Sequence, residues 1–108
     1  MPSYRVSVDI LATRPGVAHE SVLPAAEATV SRTHRVEDRS IEVIGGQPQI
    51  HLRFGVAASN DRSEDEDAEA VVRAVVTELD RVAHCGRWTL RRGRGGRWFP
   101  VRAGWAPL

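Results

Sequence analysis

The alternation of apolar and polar residues in two short segments is the feature that most limits the folds open to this chain. Residues 4–10 are apolar at every even position, and residues 50–56 repeat the pattern. A period of two places one face of a strand in a core and the other face in solvent. The sequence therefore predicts two half-buried strands, one near the start of the chain and one near its middle.

Two further segments have helical spacing. Apolar residues recur at that spacing from about Ser21 to Thr33, and Pro24 falls in the first turn, where a missing N–H is tolerated. A second helix is predicted to begin where Ser63 and Glu66 fit a capping box and to run to about His84. Its apolar stripe consists of Ala68, Val71, Val72, Val75, Val76, Leu79 and Val82.

Three shorter patterns complete the expected elements. Three β-branched residues, Ile41, Val43 and Ile44, precede Gly45 and Gly46, so this segment should form a hairpin with the strand that begins near residue 50. Trp88 and Leu90 alternate with polar residues as a fourth strand, and a glycine-rich turn leads into a possible fifth strand at residues 97–101. The expected core is Val6, Val8, Leu52, Phe54, Val72, Val75, Val76 and Leu79.

The order β-α-β-β-α-β is the split βαβ plan of ferredoxin-like domains, so the predicted class is α+β. This plan places strands one and three in the middle of an antiparallel sheet, with both helices on one face. The possible fifth strand would lie outside strand four. We expect residues 1–101 to form a single domain and residues 102–108 to fray.

The composition limits the cellular compartment and the kinds of site that we expect for this chain. Cys85 is the single cysteine, which excludes an intramolecular disulfide, and the start has no secretory pattern, so we expect a cytoplasmic protein. The apolar runs are too short to span a bilayer, so we expect no membrane association. The four histidines have no recognised metal-ligand spacing, and we predict neither a metal site nor a cofactor. We expect His84 to lie at the C-terminus of a helix and Cys85 to be a buried thiol. We favour this interpretation over a nucleophilic pair.

Charge is distributed unevenly along the chain. Residues 1–80 hold all 14 acidic residues, whereas residues 81–108 hold seven arginines and no acid. The basic segment combines arginines, glycines and an aromatic residue, a mixture that can bind the phosphates and bases of nucleic acid. The candidate nucleic-acid-binding residues are Arg91, Arg92, Arg94, Arg97 and Trp98.

The same basic segment also fits a hairpin turn whose arginines are solvated or pair with acids of the same chain. We favour this interpretation, because the rest of the chain is acidic and would repel phosphates. The outer sheet face also offers no aromatic residue on strands one and three. Its expected members are Arg5, Ser7, Asp9, Leu11, Gln49, His51 and Arg53.

No catalytic constellation emerges from these residues, and the biochemical role stays unknown. The leading hypothesis is a non-enzymatic interaction module that self-associates through its sheet face or an edge strand, most simply as a homodimer. The alternative is a nucleic-acid-binding accessory protein that uses the basic segment. A third possibility is a small-molecule-binding or enzymatic dimer, with a pocket between sheet and helices and with His51 or Asp9 as general base.

Overall fold

The chain folds into five strands and two α-helices, described by a computed structural model over residues 1–107. A short 3-10 helix, His19–Ser21, precedes the first α-helix. None of the described helices is both long enough and apolar enough to cross a membrane. In chain order the main elements are β1 (Ser3–Thr13), α1 (Val22–Ser31), β2 (Arg35–Ile44), β3 (Gln47–Gly55), α2 (Asp61–Leu79), β4 (Ala83–Arg94) and β5 (Arg97–Trp105).

All five strands form one antiparallel sheet with the order β2-β3-β1-β4-β5. β1 lies in the centre, where Val6 is opposite Leu52 of β3 and Leu90 of β4. The α+β class and the antiparallel sheet with two helices are confirmed. The segment predicted as a fifth strand does pair outside β4.

The core lies between one face of the sheet and the two helices. Alternation in β1 and β3 sends every second side chain inward, and the stripe of α2 meets those side chains from the other side. All eight residues predicted for the core are buried. The opposite face of the sheet, which we call the open face, has no helix against it.

The N-cap of α2 lies three residues before Ser63, so the predicted capping box is wrong. The N-cap is Asn60, whose side-chain oxygen accepts the Ser63 backbone N–H at 2.9 Å. Glu64 reaches back and accepts the Ser59 backbone N–H at 2.7 Å. An asparagine with extended backbone satisfies an orphan N–H of the first turn as well as a serine does, so the helix begins earlier.

The predicted end of α2 at His84 is also wrong, because the helix ends at Leu79. Arg14 holds the chain after that residue, since its guanidinium donates to the Asp80 backbone carbonyl at 2.5 Å and to the Asp80 carboxylate at 3.1 Å. The apolar pattern continues through Ala83 only because that residue already belongs to β4, opposite Thr13. His84 is therefore a strand residue and does not cap a helix.

Both edge strands are longer than their apolar residues indicate. β2 begins at Arg35, six residues before Ile41, and pairs with β3 along its whole length. β5 continues to Trp105, four residues into the segment expected to fray, because its backbone pairs with Arg87 through Leu90 of β4. A sheet edge needs only backbone groups for pairing, so polar residues can form it.

Candidate functional site

The basic segment forms the hairpin between β4 and β5, and its candidate residues are divided between the two faces of the sheet. Arg92 points toward the helices, in phase with Leu90. Its guanidinium lies 2.6 Å from the Glu64 carboxylate and 3.3 Å from each of Asp61 and Asp65. Burial by itself lowers the pKa of Arg92. The hydrogen bond to Glu64 and the neighbouring negative charges outweigh that effect, so the pKa is raised above its ordinary value. This arginine is therefore bound within the protein.

Tyr4 completes the cluster around Arg92. Its hydroxyl donates to Asp65 at 2.5 Å and accepts from Arg92 at 2.7 Å. Burial of the ring, together with the hydrogen bond to Asp65, raises the pKa of Tyr4 far above its ordinary value. Arg94 lies nearer the surface and pairs with Asp61 at 3.1 Å. Two of the four candidate arginines thus neutralise the acidic first turn of α2.

Trp98 lies on the open face and packs across Gly93. A Cβ at Gly93 would lie 3.0 Å from the indole Cζ3, closer than an ordinary van der Waals contact, so a side chain there would displace the ring. The guanidinium carbons of Arg5 and Arg53 lie 4.5 and 5.4 Å from the ring centroid. These cation–π contacts occupy a ring face on which a base would otherwise stack. Arg97 is exposed and has no carboxylate partner within residues 1–107.

An arginine row crosses the open face, and sequence reasoning did not identify it. Arg5 of β1 is directly opposite Arg53 of β3 on one side and Arg91 of β4 on the other. Arg53 is neutralised by Glu37 at 2.9 Å. Arg5 and Arg91 have no carboxylate partner in the described part of the chain. Like charges directly opposite each other destabilise a sheet, so this row costs stability.

His51 lies beside the arginine row in the middle of the open face. Its Nδ1 is 2.8 Å from the Ser7 hydroxyl, and its Nε2 is 3.4 Å from Glu42. Burial lowers the pKa of His51, and the charges of Arg5 and Arg91 lower it further against the opposing effect of Glu42. The imidazole is therefore neutral at physiological pH.

Ser7, His51 and Glu42 have the residue types of a nucleophile, a base and an acid, but their geometry favours binding over covalent catalysis. Only 7% of Ser7 is exposed, so its hydroxyl is not presented to a substrate. His51 and Asp9 lie on the open face, as predicted, and not in a pocket between sheet and helices. Most of the space between sheet and helices is filled by the core, and the apolar groove that Val22 of α1 and Ile50 of β3 line contains neither His51 nor Asp9.

Cys85 is buried in β4 as a free thiol, as predicted. Burial raises the pKa of Cys85 to about 11, so it is protonated and unreactive at neutral pH. No three His, Cys, Asp or Glu side chains within residues 1–107 cluster closely enough to hold a metal ion.

The β2 edge is the most apolar exposed part of the sheet. Ile41, Val43 and Ile44 are more than half exposed, at 54%, 68% and 53%. Ile41 also lines an apolar groove of about 190 Å³ where the β2–β3 hairpin extends past the helices. The other residues of this groove include Ile10, Leu11, Val22, Pro48 and Ile50.

The sequence matches no protein-family model and no curated protein. A solved structure titled as a phage SAM lyase in its apo state is similar in fold, with a TM-score of 0.58. The two chains are 12% identical, and the similarity covers 99% of this chain and 90% of that one. At this identity the likeness concerns the arrangement of the backbone alone.

Proposed function

We propose that this chain is a non-enzymatic interaction module that self-associates through the β2 edge of its sheet. The observation that supports the proposal most directly is the exposure of Ile41, Val43 and Ile44 on an edge strand. Exposed apolar side chains on a strand with unpaired backbone groups form a template for another strand. A second copy of the same edge would supply both the backbone partners and the apolar contacts.

The two edges of the sheet are not equivalent. β2 contains no proline or glycine, and the half of it that follows Arg39 is rich in β-branched residues. β5 contains Pro100, which has no N–H to donate, and the β4–β5 register shifts between Leu90 and Arg91. Proline and bulges are devices that make an edge a poor template. We therefore place the contact on β2, with an isologous dimer as its simplest form.

The strand order supports a ferredoxin-like plan with an added fifth strand, which we propose as the fold type. We also propose a cytoplasmic location, since the single cysteine is buried and free. The similarity to a SAM lyase does not alter the functional proposal. It concerns the backbone, and the apolar edge of β2 is a property of this chain's own side chains.

The nucleic-acid alternative has less support. Of its five residues, Arg92 and Arg94 pair with acids of α2, and Trp98 is stacked with Arg5 and Arg53. Among residues 1–107, Arg91 and Arg97 have no carboxylate partner. A footprint of two arginines is small for a protein that follows a phosphate backbone.

Hydrogen exchange tests the proposed contact directly. Amide N–H groups on the free side of β2 exchange quickly in a monomer and slowly once another strand pairs with them. We expect their protection to rise when the protein is concentrated from low to high micromolar, while protection in β5 stays constant. Protection of β2 that is independent of concentration would overturn the proposal.

A further inference from the structure

The open face contains a second feature, a concavity that shares only Ile44 with the apolar residues of the β2 edge proposed for self-association. Three of the arginines without a carboxylate partner in the described chain, Arg5, Arg87 and Arg91, line one concavity of about 420 Å³. Arg5 and Arg91 are direct cross-strand neighbours.

Apart from Ile44, the other residues of this concavity can form hydrogen bonds. Thr89 and His51 line it together with the arginines, and so does Ser7, whose largely buried hydroxyl is already 2.8 Å from Nδ1 of His51. Nε2 of His51 is buried and makes no hydrogen bond within residues 1–107, and the nearest carboxylate, that of Glu42, lies 3.4 Å away. A buried polar atom without a partner costs stability, and a ligand that pairs with it removes that cost. The concavity also contains Asp9 and Glu42, and Asp9 already accepts from Gln49 at 2.7 Å.

We propose that the open face binds a small molecule through an oxyanion group, a phosphate or a carboxylate, held between Arg5 and Arg91. Guanidinium groups match the geometry of both oxyanions and bind them with paired N–H donors. The bound anion offsets the repulsion along the arginine row, and His51 donates to it or to a neighbouring polar group. The arginines of the site lie on β1 and β4 of one protomer, and of the β2 residues proposed for self-association only Ile44 also lines the concavity.

The repulsion between Arg5 and Arg91 allows a direct test of the proposal, in which the Tm is measured for the wild type and for charge variants. Thermal melts are recorded in an inert buffer of fixed ionic strength, with added inorganic phosphate in one arm and succinate in the other. We expect at least one of these anions to raise the Tm of the wild type. Arg91→Gln should not lower the Tm in the absence of anion, because it removes a like charge that makes no ion pair, and it should abolish the rise. Arg32→Gln, which removes an arginine that lies outside the concavity and has no carboxylate partner in the described chain, is the matched control and should retain the rise.

The His51 ring provides a second measurement that a nonspecific ionic effect would not reproduce. A bound anion offsets the charges of Arg5 and Arg91, so the pKa of His51 measured by NMR should rise when the stabilising anion is added. The arm that responds identifies the oxyanion as phosphate or carboxylate. A Tm that neither anion raises, or a rise that survives in Arg91→Gln, would overturn the proposal, as would a pKa of His51 that does not move.

Discussion

Arg92 and Glu64 form an ion pair of 2.6 Å between the sheet and the first turn of α2. Their side chains are only 14% and 6% exposed. The pair joins the basic hairpin to the acidic helix start, so part of the charge asymmetry along the sequence is neutralised within the fold. The arginine that the sequence offers as a nucleic-acid ligand is thereby a structural residue.

Loss of this pair should destabilise the protein more than loss of an exposed pair. Arg92→Gln leaves Glu64 without its cationic partner, and we expect the Tm to fall by more than about 5 °C, which corresponds to roughly 1 kcal/mol in a domain of this size. Arg62→Gln, which breaks the exposed pair with Glu66, should shift the Tm by less than about 2 °C. Equal shifts in differential scanning calorimetry would contradict the structural role of Arg92.

Acidification should weaken the fold through Glu64. The hydrogen bond from the Ser59 backbone and the contact with Arg92 hold the pKa of Glu64 below its ordinary value. A depressed carboxyl pKa contributes stability that is complete above the unfolded value, about 4.3, and is lost as the pH falls through the folded value. Urea midpoints measured from neutral to acidic pH should therefore decline more steeply for the wild type than for Glu64→Gln. Parallel declines would exclude Glu64 as a source of the acid sensitivity.

Gly104 should tolerate no side chain. A Cβ there would lie 2.7 Å from Cζ2 of Trp88, whose ring is buried and cannot move aside. We expect Gly104→Ala to cost about 1–3 kcal/mol by overpacking. At Gly86 the nearest group is the flexible and exposed side chain of Leu11, at 3.2 Å, so Gly86→Ala should be nearly neutral. Equal free energies of unfolding for the two variants would contradict the packing of β5 on Trp88.

The elements with regular periodicity were predictable from the sequence, and their boundaries were not. The alternation in β1 and β3 and the stripe of α2 each depend on burial of one face, and burial of one face requires apolar residues at regular spacing. The first half of β2 has no regular spacing of apolar residues, because an edge strand exposes both its side chains and one side of its backbone. The end of α2 was missed because Val82 and Ala83 continue a helical spacing by coincidence.

Among the site residues, too, some could be predicted from the sequence and others could not. The phase of β4 could have revealed Arg92, since it is two residues beyond Leu90 and so lies on the buried face. The arginine row could not have been found, because it depends on the register that places Arg5 opposite both Arg53 and Arg91. Register is a property of strand pairing and cannot be read from one strand alone.

Sedimentation velocity of two charge variants tests the central claim, self-association through β2, most directly. Val43 and Trp105 are equally exposed, at 68% and 70%, and lie on opposite edges of the sheet. A lysine on an edge strand blocks pairing with another strand at little cost to the fold. At tens of micromolar we predict that the wild type and Trp105→Lys sediment as a species heavier than the 11.9 kDa chain, and that Val43→Lys sediments as the monomer. A wild type that is monomeric at these concentrations, or a Val43→Lys variant that remains associated, would contradict the account.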